Sequence, residues 1–283
     1  MSAVSMARFD EGFFTSGDGL RLYWRSDLPP QQPRAHVALV HGYGDHTGRY
    51  LPTIEALVGQ GYAVHAFDYR GHGRADGRRG YCEAWPDYLL DLSAFWTRVR
   101  EAAGASKIFL LGHSHGGLMS VHQWDKGLPG LSGLVLSSPF FKLALTPPRV
   151  KLLAAKVLAR VVPWAPIPTE LQPEQLSRDE AVQRAAREDP LYNRIATPRW
   201  FAEAALAQER VMEIAGRLRT PLLLLSGAED SVAKVETQRA FFDAAGSQDK
   251  RYKAYPGMRH EPLNELGREQ VFQDISNWIS ERL

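Results

Sequence analysis

The sequence contains very little cysteine and no long apolar run. Cys82 is the only cysteine among 283 residues, which excludes an internal disulfide framework and fits a reducing compartment. The most apolar stretches, such as residues 222–225, are a few residues long, whereas a helix that crosses a bilayer needs about 20 apolar residues. The first ten residues also lack the apolar run of a secretory signal. We therefore expect a soluble, cytoplasmic protein.

An excess of charge of either sign is also absent. The chain has 34 Lys and Arg against 32 Asp and Glu, a net charge of +2, whereas nucleic-acid binders usually carry a strongly basic domain or stripe. Nucleic acid is therefore not an expected partner. Hydrophobic residues make up 44% and charged residues 23%, which is typical of globular chains. At roughly 100–200 residues per domain, this length allows two domains or one large domain with an insertion.

Short β-rich runs alternate with longer helix-like segments along most of the chain. This order is typical of βαβ units around a mostly parallel sheet, and entirely apolar runs such as residues 37–40 suit strands buried on both faces. The predicted strands are residues 20–25, 36–41, 63–67, 108–111, 134–137, 222–226 and 251–255. The predicted helices are residues 49–59, 86–103, 115–126, 235–245 and 265–282.

The alternation breaks between Ser138 and Leu218, in a proline-rich stretch with no convincing strand. An ordinary crossover helix with long loops would explain it, but such connections rarely need so many residues. We therefore predict an α/β fold in which residues 1–138 and 219–283 form one core and residues 139–218 form an inserted, mainly helical cap.

The motif that points to chemistry is Gly112-His113-Ser114-His115-Gly116, between an apolar strand and a predicted helix. A G-x-S-x-G motif in this position is typical of a nucleophile elbow, where the serine occupies a sharp, strained turn and its neighbours two positions away must be small. The pentapeptide alone also arises by chance. Its position between strand and helix indicates that Ser114 is a nucleophile.

A serine hydroxyl is a weak nucleophile near neutral pH, so Ser114 needs a general-base histidine and an acid that orients it. The expected chain order is Ser, acid, His. Asp230 and His260 follow in that order, each in a loop after a predicted strand, where catalytic groups of α/β folds collect. Glu229 is an alternative acid, but the Gly-x-x-Asp spacing from Gly227 and the shorter side chain favour Asp230.

Acyl transfer also needs two backbone N–H groups directed at the developing oxyanion. His115, directly after the nucleophile, is predicted to supply one, and Tyr43, between Gly42 and Gly44 in the loop after residues 36–40, the other. A plain glycine-rich turn is the alternative for this loop. The sequence lacks H-E-x-x-H, Cys/His ligand spacing and nucleotide-binding glycine motifs, so no metal or cofactor is expected.

Together these residues resemble the serine-hydrolase branch of the α/β-hydrolase fold that contains monoacylglycerol lipases and lysophospholipases. The resemblance covers nearly the whole chain and includes, beyond the three catalytic candidates, residues 41–50, 68–74, 136–139, 150–160, 189–191 and 247–250. It implies a substrate with one acyl chain on glycerol.

The resemblance also implies that Asp45 and Arg49 form the polar pocket for the glycerol head. Two positions depart from the family pattern, because Asp45 stands where the vertebrate lipases have Glu, and Leu263 where they carry a second His. Lysophospholipids and simple esters therefore remain alternative substrates.

Residues 150–160 look like the membrane-facing cap helix of monoacylglycerol lipases. Residues 140–169 contain five basic and no acidic residues. On a helix, Arg149, Lys156 and Arg160 share one face, and an apolar stripe that includes Val157 and Val161 lies about a quarter-turn away. This pattern is typical of a helix at a lipid surface, although a cap helix packed on the core with a solvated basic edge would produce it too. Peripheral membrane contact is thus predicted.

The residues together predict a serine esterase or lipase that acts through an acyl-enzyme on Ser114. A non-catalytic binding protein of the same fold is the alternative from another class, and the complete triad argues against it. C–C hydrolases, peptidases and cofactor-free haloperoxidases also use a serine, and the lipid-like cap disfavours them.

Overall fold

The computed structural model describes residues 8–145, 149–169 and 171–283, with the backbone alone for residues 149–154. The strands are β1 (Arg8–Thr15), β2 (Arg21–Leu28), β3 (His36–Val40), β4 (Ala63–Asp68), β5 (Ile108–His113), β6 (Leu131–Ser137), β7 (Ile167–Pro168), β8 (Ile195–Ala196), β9 (Leu222–Gly227) and β10 (Lys250–Tyr255). The helices are α1 (Leu51–Gly59), α2 (Trp85–Ala103), α3 (His115–Lys126), α4 (Arg149–Val161), α5 (Pro173–Leu176), α6 (Glu180–Glu188), α7 (Pro198–Ala215), α8 (Val235–Ala244) and α9 (Arg268–Ser280).

Eight strands form the central sheet in the order β1-β2-β4-β3-β5-β6-β9-β10. The pairs β1–β2 and β2–β4 are antiparallel, and the six strands from β4 to β10 run parallel. Parallel strands end at the same edge of the sheet, and ligand sites of open α/β sheets lie outside that edge. The loops after β3, β5, β9 and β10 therefore meet there.

The parallel strands bury side chains on both faces, which explains their uninterrupted apolar sequences. In β9, Leu222 and Leu224 belong to one apolar cluster, whereas Leu223 and Leu225 belong to a second. The first cluster includes buried residues of α2, α3 and α7, and the second those of α1 and α9. Helices thus cover both faces, as the α/β prediction required.

The chain between β6 and β9 contains α4 to α7 and a small antiparallel ladder of β7 and β8. Helix α7 contacts α2, α3, α4 and α8, and its residues Trp200 and Val211 belong to the first apolar cluster. The side chain of Thr197 caps this helix by accepting a hydrogen bond from the amide of Trp200, and Pro198 occupies its first position. Within the described ranges, every helix is too short or too polar to span a bilayer.

The structure corrects the sequence-based prediction at three places. Strand β1 was not predicted, because its charged residues and Gly12 obscure the alternation of apolar and polar residues that indicates a strand at a sheet edge. The prediction of no strand in the insertion was wrong, since β7 and β8 pair over two residues. Helix α9 begins at Arg268 and not at residue 265, because a separate 3₁₀ turn covers Pro262–Asn264.

Candidate active site

Ser114 lies at the turn between β5 and α3 with φ of 51° and ψ of −117°, an unusual conformation for a residue with a side chain. A Cβ atom on Gly112 would approach Ser120 Oγ to 2.5 Å, and one on Gly116 would approach the Val40 carbonyl oxygen to 2.3 Å. Only glycine fits these two positions. The turn is therefore the strained elbow that the motif predicts.

Ser114, His260 and Asp230 come together in a line of short contacts. His260 Nε2 lies 2.8 Å from Ser114 Oγ, and His260 Nδ1 lies 2.9 Å from Asp230 Oδ2. The other oxygen of Asp230 accepts hydrogen bonds from the amides of Val232 and Ala233, at 2.8 and 2.9 Å. Because the neighbouring Glu229 is exposed, the carboxylate that contacts His260 belongs to Asp230.

The charges around His260 favour its protonated form. Burial alone would lower the pKa of His260, but Asp230, and then Glu261 and Asp45, raise it above the ordinary value of 6.5. Burial alone would raise the pKa of Asp230, but His260 lowers it below 3.8. The acid is thus held as an anion whose charge stabilises an imidazolium.

Backbone hydrogen bonds fix the loop of Asp230 to the loop of His260. The Ala228 amide donates to the Tyr255 carbonyl at 3.0 Å, and the Glu229 amide donates to the Met258 carbonyl at 2.9 Å. At the elbow, the Ser114 amide donates to the Ser137 carbonyl at 2.9 Å. These hydrogen bonds join backbone atoms of loops that the strand order brings together. Side-chain motifs in the sequence therefore do not predict them.

The loop after β3 lies directly against the elbow. A Cβ atom on Gly42 would be 3.4 Å from the Cβ of Ser114, so this loop reaches the serine at the residue directly before Tyr43. Among the described residues, no acceptor takes a hydrogen bond from the Tyr43 amide. The His115 amide begins a helix, where the first N–H groups have no intrahelical partner. Both predicted oxyanion donors therefore border Ser114.

The Tyr43 side chain contributes to an aromatic cluster beside the elbow. Its ring stacks on Trp200 with centroids 3.8 Å apart, and its hydroxyl donates to the Ile195 carbonyl at 2.8 Å. Trp200 Nε1 in turn donates to His115 Nε2 at 3.2 Å. Trp200 and Ile195 lie between β6 and β9, and no sequence motif indicates that they contact the predicted oxyanion loop.

Asp45 and Arg49 lie together in a buried ion network. Arg49 Nε is 2.6 Å from Asp45 Oδ1, and Arg49 Nη2 is 2.8 Å from Glu261 Oε2. Tyr50 donates its hydroxyl to Asp45 Oδ2 at 2.8 Å. No role for Glu261 was predicted from the sequence, because an acidic residue directly after a histidine matches no recognisable motif. The network borders the site, since Glu261 follows His260.

One group of potential metal ligands occurs among the described residues, and it belongs to the same network. Single ligand atoms of Asp45, His113 and Glu261 all lie within 4.8 Å of one another. Arg49 already supplies a cation to both carboxylates, and burial lowers the pKa of His113 to about 3. Arg49 is therefore the cation to which the two carboxylates of this cluster are paired.

Comparison with known proteins agrees with this geometry. The family described as Serine aminopeptidase, S33 matches residues 31–267. A monoacylglycerol lipase of Mycolicibacterium smegmatis is 33% identical, over 99% of this chain and 100% of that protein. Phospholipase YtpA of Bacillus subtilis is 30% identical, over 88% of this chain and 95% of its own length.

Among solved structures, a monoacylglycerol lipase of Paleococcus ferrophilus superposes with a TM-score of 0.80 at 28% identity, covering 98% of this chain and 100% of that one. The chain belongs to the serine aminopeptidase S33 family of α/β hydrolases.

Proposed function

We propose that this protein hydrolyses monoacylglycerol to glycerol and a fatty acid through an acyl-enzyme on Ser114. The observation that carries the proposal is the 2.8 Å contact between Ser114 Oγ and His260 Nε2, backed by Asp230, in a chain whose relatives over nearly full length are lipid ester hydrolases. No cofactor enters the reaction.

Each group has a definite task in this reaction. His260 accepts the proton of Ser114 as Oγ attacks the ester carbonyl, and Asp230 orients the ring and stabilises its charge. The amides of Tyr43 and His115 stabilise the oxyanion, at roughly 3 to 4 kcal/mol for each donor. His260 then protonates the leaving alcohol. Water, activated by the same histidine, hydrolyses the acyl-enzyme.

Asp45 and Arg49 are proposed to bind the glycerol head. They lie in the segment after β3, and Arg49 contacts Glu261, the residue that follows His260. Leu263 is buried in the second apolar cluster, so this chain places an apolar side chain where the vertebrate lipases have a histidine. Glycerol recognition therefore depends more heavily on Asp45 and Arg49.

Lysophospholipid is the second candidate substrate, because one full-length relative is a phospholipase. The mechanism is the same for both substrates, and the difference lies in the alcohol that leaves. The family description names a peptidase reaction, whereas the two relatives described above are a monoacylglycerol lipase and a phospholipase. A non-catalytic role is disfavoured because an assembled Ser–His–Asp line has no evident use in a binding protein.

Residues 139–218 are proposed to form the cap over the acyl site and to touch the membrane through α4. Lys156 and Arg160 are exposed on this helix, and Val157 and Val161 beside them are 51% and 66% exposed. The exposed Trp164 and Ile167 continue the apolar patch. The Arg149 side chain, which was predicted to share the basic face, lies outside the described residues.

A substrate panel tests the function. Monoacylglycerols, diacylglycerols, triacylglycerols, lysophosphatidylcholine and p-nitrophenyl esters are compared with wild-type protein and Ser114→Ala. We expect the highest kcat/KM on monoacylglycerol and no turnover by Ser114→Ala. A preference for lysophosphatidylcholine replaces the substrate but keeps the mechanism. Undiminished turnover by Ser114→Ala, or no ester turnover by the wild type, overturns the mechanism.

A further inference from the structure

A continuous path of polar contacts joins the residue after His260 to the residue before Tyr43. Glu261 contacts Arg49, and Arg49 contacts Asp45. Asp45 accepts a hydrogen bond from the Tyr50 hydroxyl, which itself accepts one from the Gly42 amide at 3.1 Å. One end of the path adjoins the general base, and the other adjoins the proposed oxyanion donor.

Every charged member of this path is buried. Asp45 and Glu261 are each 2% exposed, and the Arg49 side chain is 6% exposed. Buried charges of opposite sign hold each other at a fixed distance, because separating one from its partner leaves an uncompensated charge. The path can therefore set the spacing between two loops that share no strand pairing, since β3 and β10 are separated by three strands.

Glu261 is also fixed from other directions. Asn264 Nδ2 donates to Glu261 Oε2 at 3.0 Å, and the Glu261 amide donates to the carbonyl of Leu176 in α5 at 2.8 Å. The side chain thus has little freedom. Its carboxylate is held by Arg49 and Asn264, and its backbone is held by Leu176 of α5.

The network carries an excess negative charge. Two carboxylates, Asp45 and Glu261, face one guanidinium, and the adjacent His113 is neutral because burial lowers its pKa to about 3. The rings of His113 and His260 are tilted against each other, with centroids 5.1 Å apart. The uncompensated charge therefore lies beside the ring that becomes cationic during acyl transfer, and it favours that cation.

We propose that Glu261 is a positioning residue for acyl transfer, which acts through Arg49 to fix the oxyanion loop relative to His260 and supplies the negative charge that stabilises the imidazolium. This role rests on the serine hydrolase mechanism proposed above. It is distinct from binding of the glycerol head by Asp45 and Arg49, because it operates on every ester substrate.

The central variant is Glu261→Gln, which keeps the size of the side chain and removes its charge. We expect kcat to fall about tenfold or more on both a monoacylglycerol and a p-nitrophenyl ester, with KM little changed. The acid limb of the pH profile of kcat/KM moves to lower pH, because His260 loses a neighbouring anion. Glu261→Asp keeps the charge and retains the wild-type position of the acid limb, while its shorter reach still lowers kcat.

Glu265→Gln is the matched control. Glu265 is another buried carboxylate in the same loop, but it pairs with Arg178 and Ser177 and not with the network. We expect it to leave the acid limb in place. Thermal unfolding of all three variants checks that they fold, and if Glu261→Gln does not fold, the kcat and acid limb of Glu261→Asp carry the test.

Three results overturn the proposal when Glu261→Gln folds. The first is an unchanged kcat and acid limb in Glu261→Gln, and the second is an equal shift of the acid limb in Glu265→Gln. The third is a rise in the KM of Glu261→Gln for monoacylglycerol alone, which would make Glu261 a substrate-binding group. If Glu261→Gln does not fold, an unchanged kcat in Glu261→Asp overturns it as well. Full turnover by Ser114→Ala is a different outcome, because it removes the proposed function itself.

Discussion

Ser114 Oγ and His260 Nε2 lie 2.8 Å apart although 146 positions separate the two residues in the sequence. The sheet brings them together, because both follow parallel strands that end at the same edge. The glycines around Ser114 permit the turn that directs its hydroxyl toward the histidine. Reactivity at this contact thus depends on the strand order and on the elbow.

Replacing Ser114 by alanine should abolish ester hydrolysis. Removal of the nucleophile from a Ser–His–Asp site lowers kcat by several orders of magnitude, and we expect a fall of at least about 10⁴-fold. Steady-state turnover of a p-nitrophenyl ester measures it. Ser93→Ala, at an exposed position of α2, serves as the control and should retain full activity.

Activity should fall at acidic pH with a midpoint above 6.5. His260 must be neutral to accept the serine proton, and its pKa is raised above 6.5 by the surrounding carboxylates against the effect of burial. The active form is therefore lost as pH falls through this raised pKa. The pH profile of kcat/KM measures the midpoint, and a midpoint below 6.5 would contradict the charge arrangement around His260.

Asp230→Asn should lower kcat by about 10⁴-fold and move the acid limb to lower pH. The amide cannot stabilise the imidazolium and favours the wrong tautomer of the ring. Glu229→Gln is the neighbouring control, because this side chain is exposed, and it should change neither quantity. A loss of activity in Glu229→Gln equal to that in Asp230→Asn would reverse the choice of acid.

Two glycine substitutions should have opposite effects on stability. A Cβ atom on Gly116 would lie 2.3 Å from the Val40 carbonyl oxygen, whereas one on Gly59 would meet nothing within 4 Å. Gly116→Ala should therefore lower the midpoint of thermal unfolding and displace Ser114. Gly59→Ala, in the last position of α1, should raise the free energy of unfolding by about 0.5 kcal/mol. Calorimetry of both variants beside the wild type distinguishes these effects.

The sequence was sufficient to predict that Ser114, Asp230 and His260 lie close together at strand ends. Ser114 and Asp230 follow apolar runs, and His260 follows the predicted strand 251–255. A parallel sheet brings such positions to one edge. Strand β1 escaped prediction because it lies at the edge of the sheet, where one face is solvated and charge is tolerated.

Glu261 shows where prediction from the sequence ended. The sequence shows that Glu261 follows His260, but it does not show whether this glutamate is buried or exposed. Its contact with Arg49 spans 212 positions, and no local pattern records such a distance. Helix α7 is a similar case, because its packing on α2 and α3 depends on the path of the whole insertion.

The ion pair between Arg70 and Asp91 should be important for folding. Asp91 is fully buried, lies 2.6 Å from Arg70 Nη2 and accepts a hydrogen bond from Ser16 Oγ at 2.6 Å. Asp91→Ala leaves the Arg70 guanidinium without its buried partner and should lower the free energy of unfolding by about 3 to 5 kcal/mol. Denaturant unfolding measures the loss. Asp76→Ala breaks the solvent-exposed pair with Arg21 and should have a much smaller effect.

The proposed membrane contact of α4 predicts salt-dependent binding to anionic lipid. Lys156→Glu with Arg160→Glu reverses two exposed charges next to the apolar patch of Val157, Val161 and Trp164. Because basic residues at a lipid surface each contribute about 1 kcal/mol on anionic membranes, partitioning to phosphatidylserine vesicles should fall by roughly tenfold or more, and added salt should weaken wild-type binding.

The matched control for this experiment is Arg100→Glu with Lys126→Glu. Both residues are exposed and lie in the last turns of α2 and α3, at the edge of the sheet opposite the site, so the net charge changes equally without altering α4. This control should bind vesicles as the wild type does. Equal losses in both double variants would show a response to net charge alone, and unchanged partitioning in Lys156→Glu with Arg160→Glu would exclude the basic face of α4 from the lipid contact.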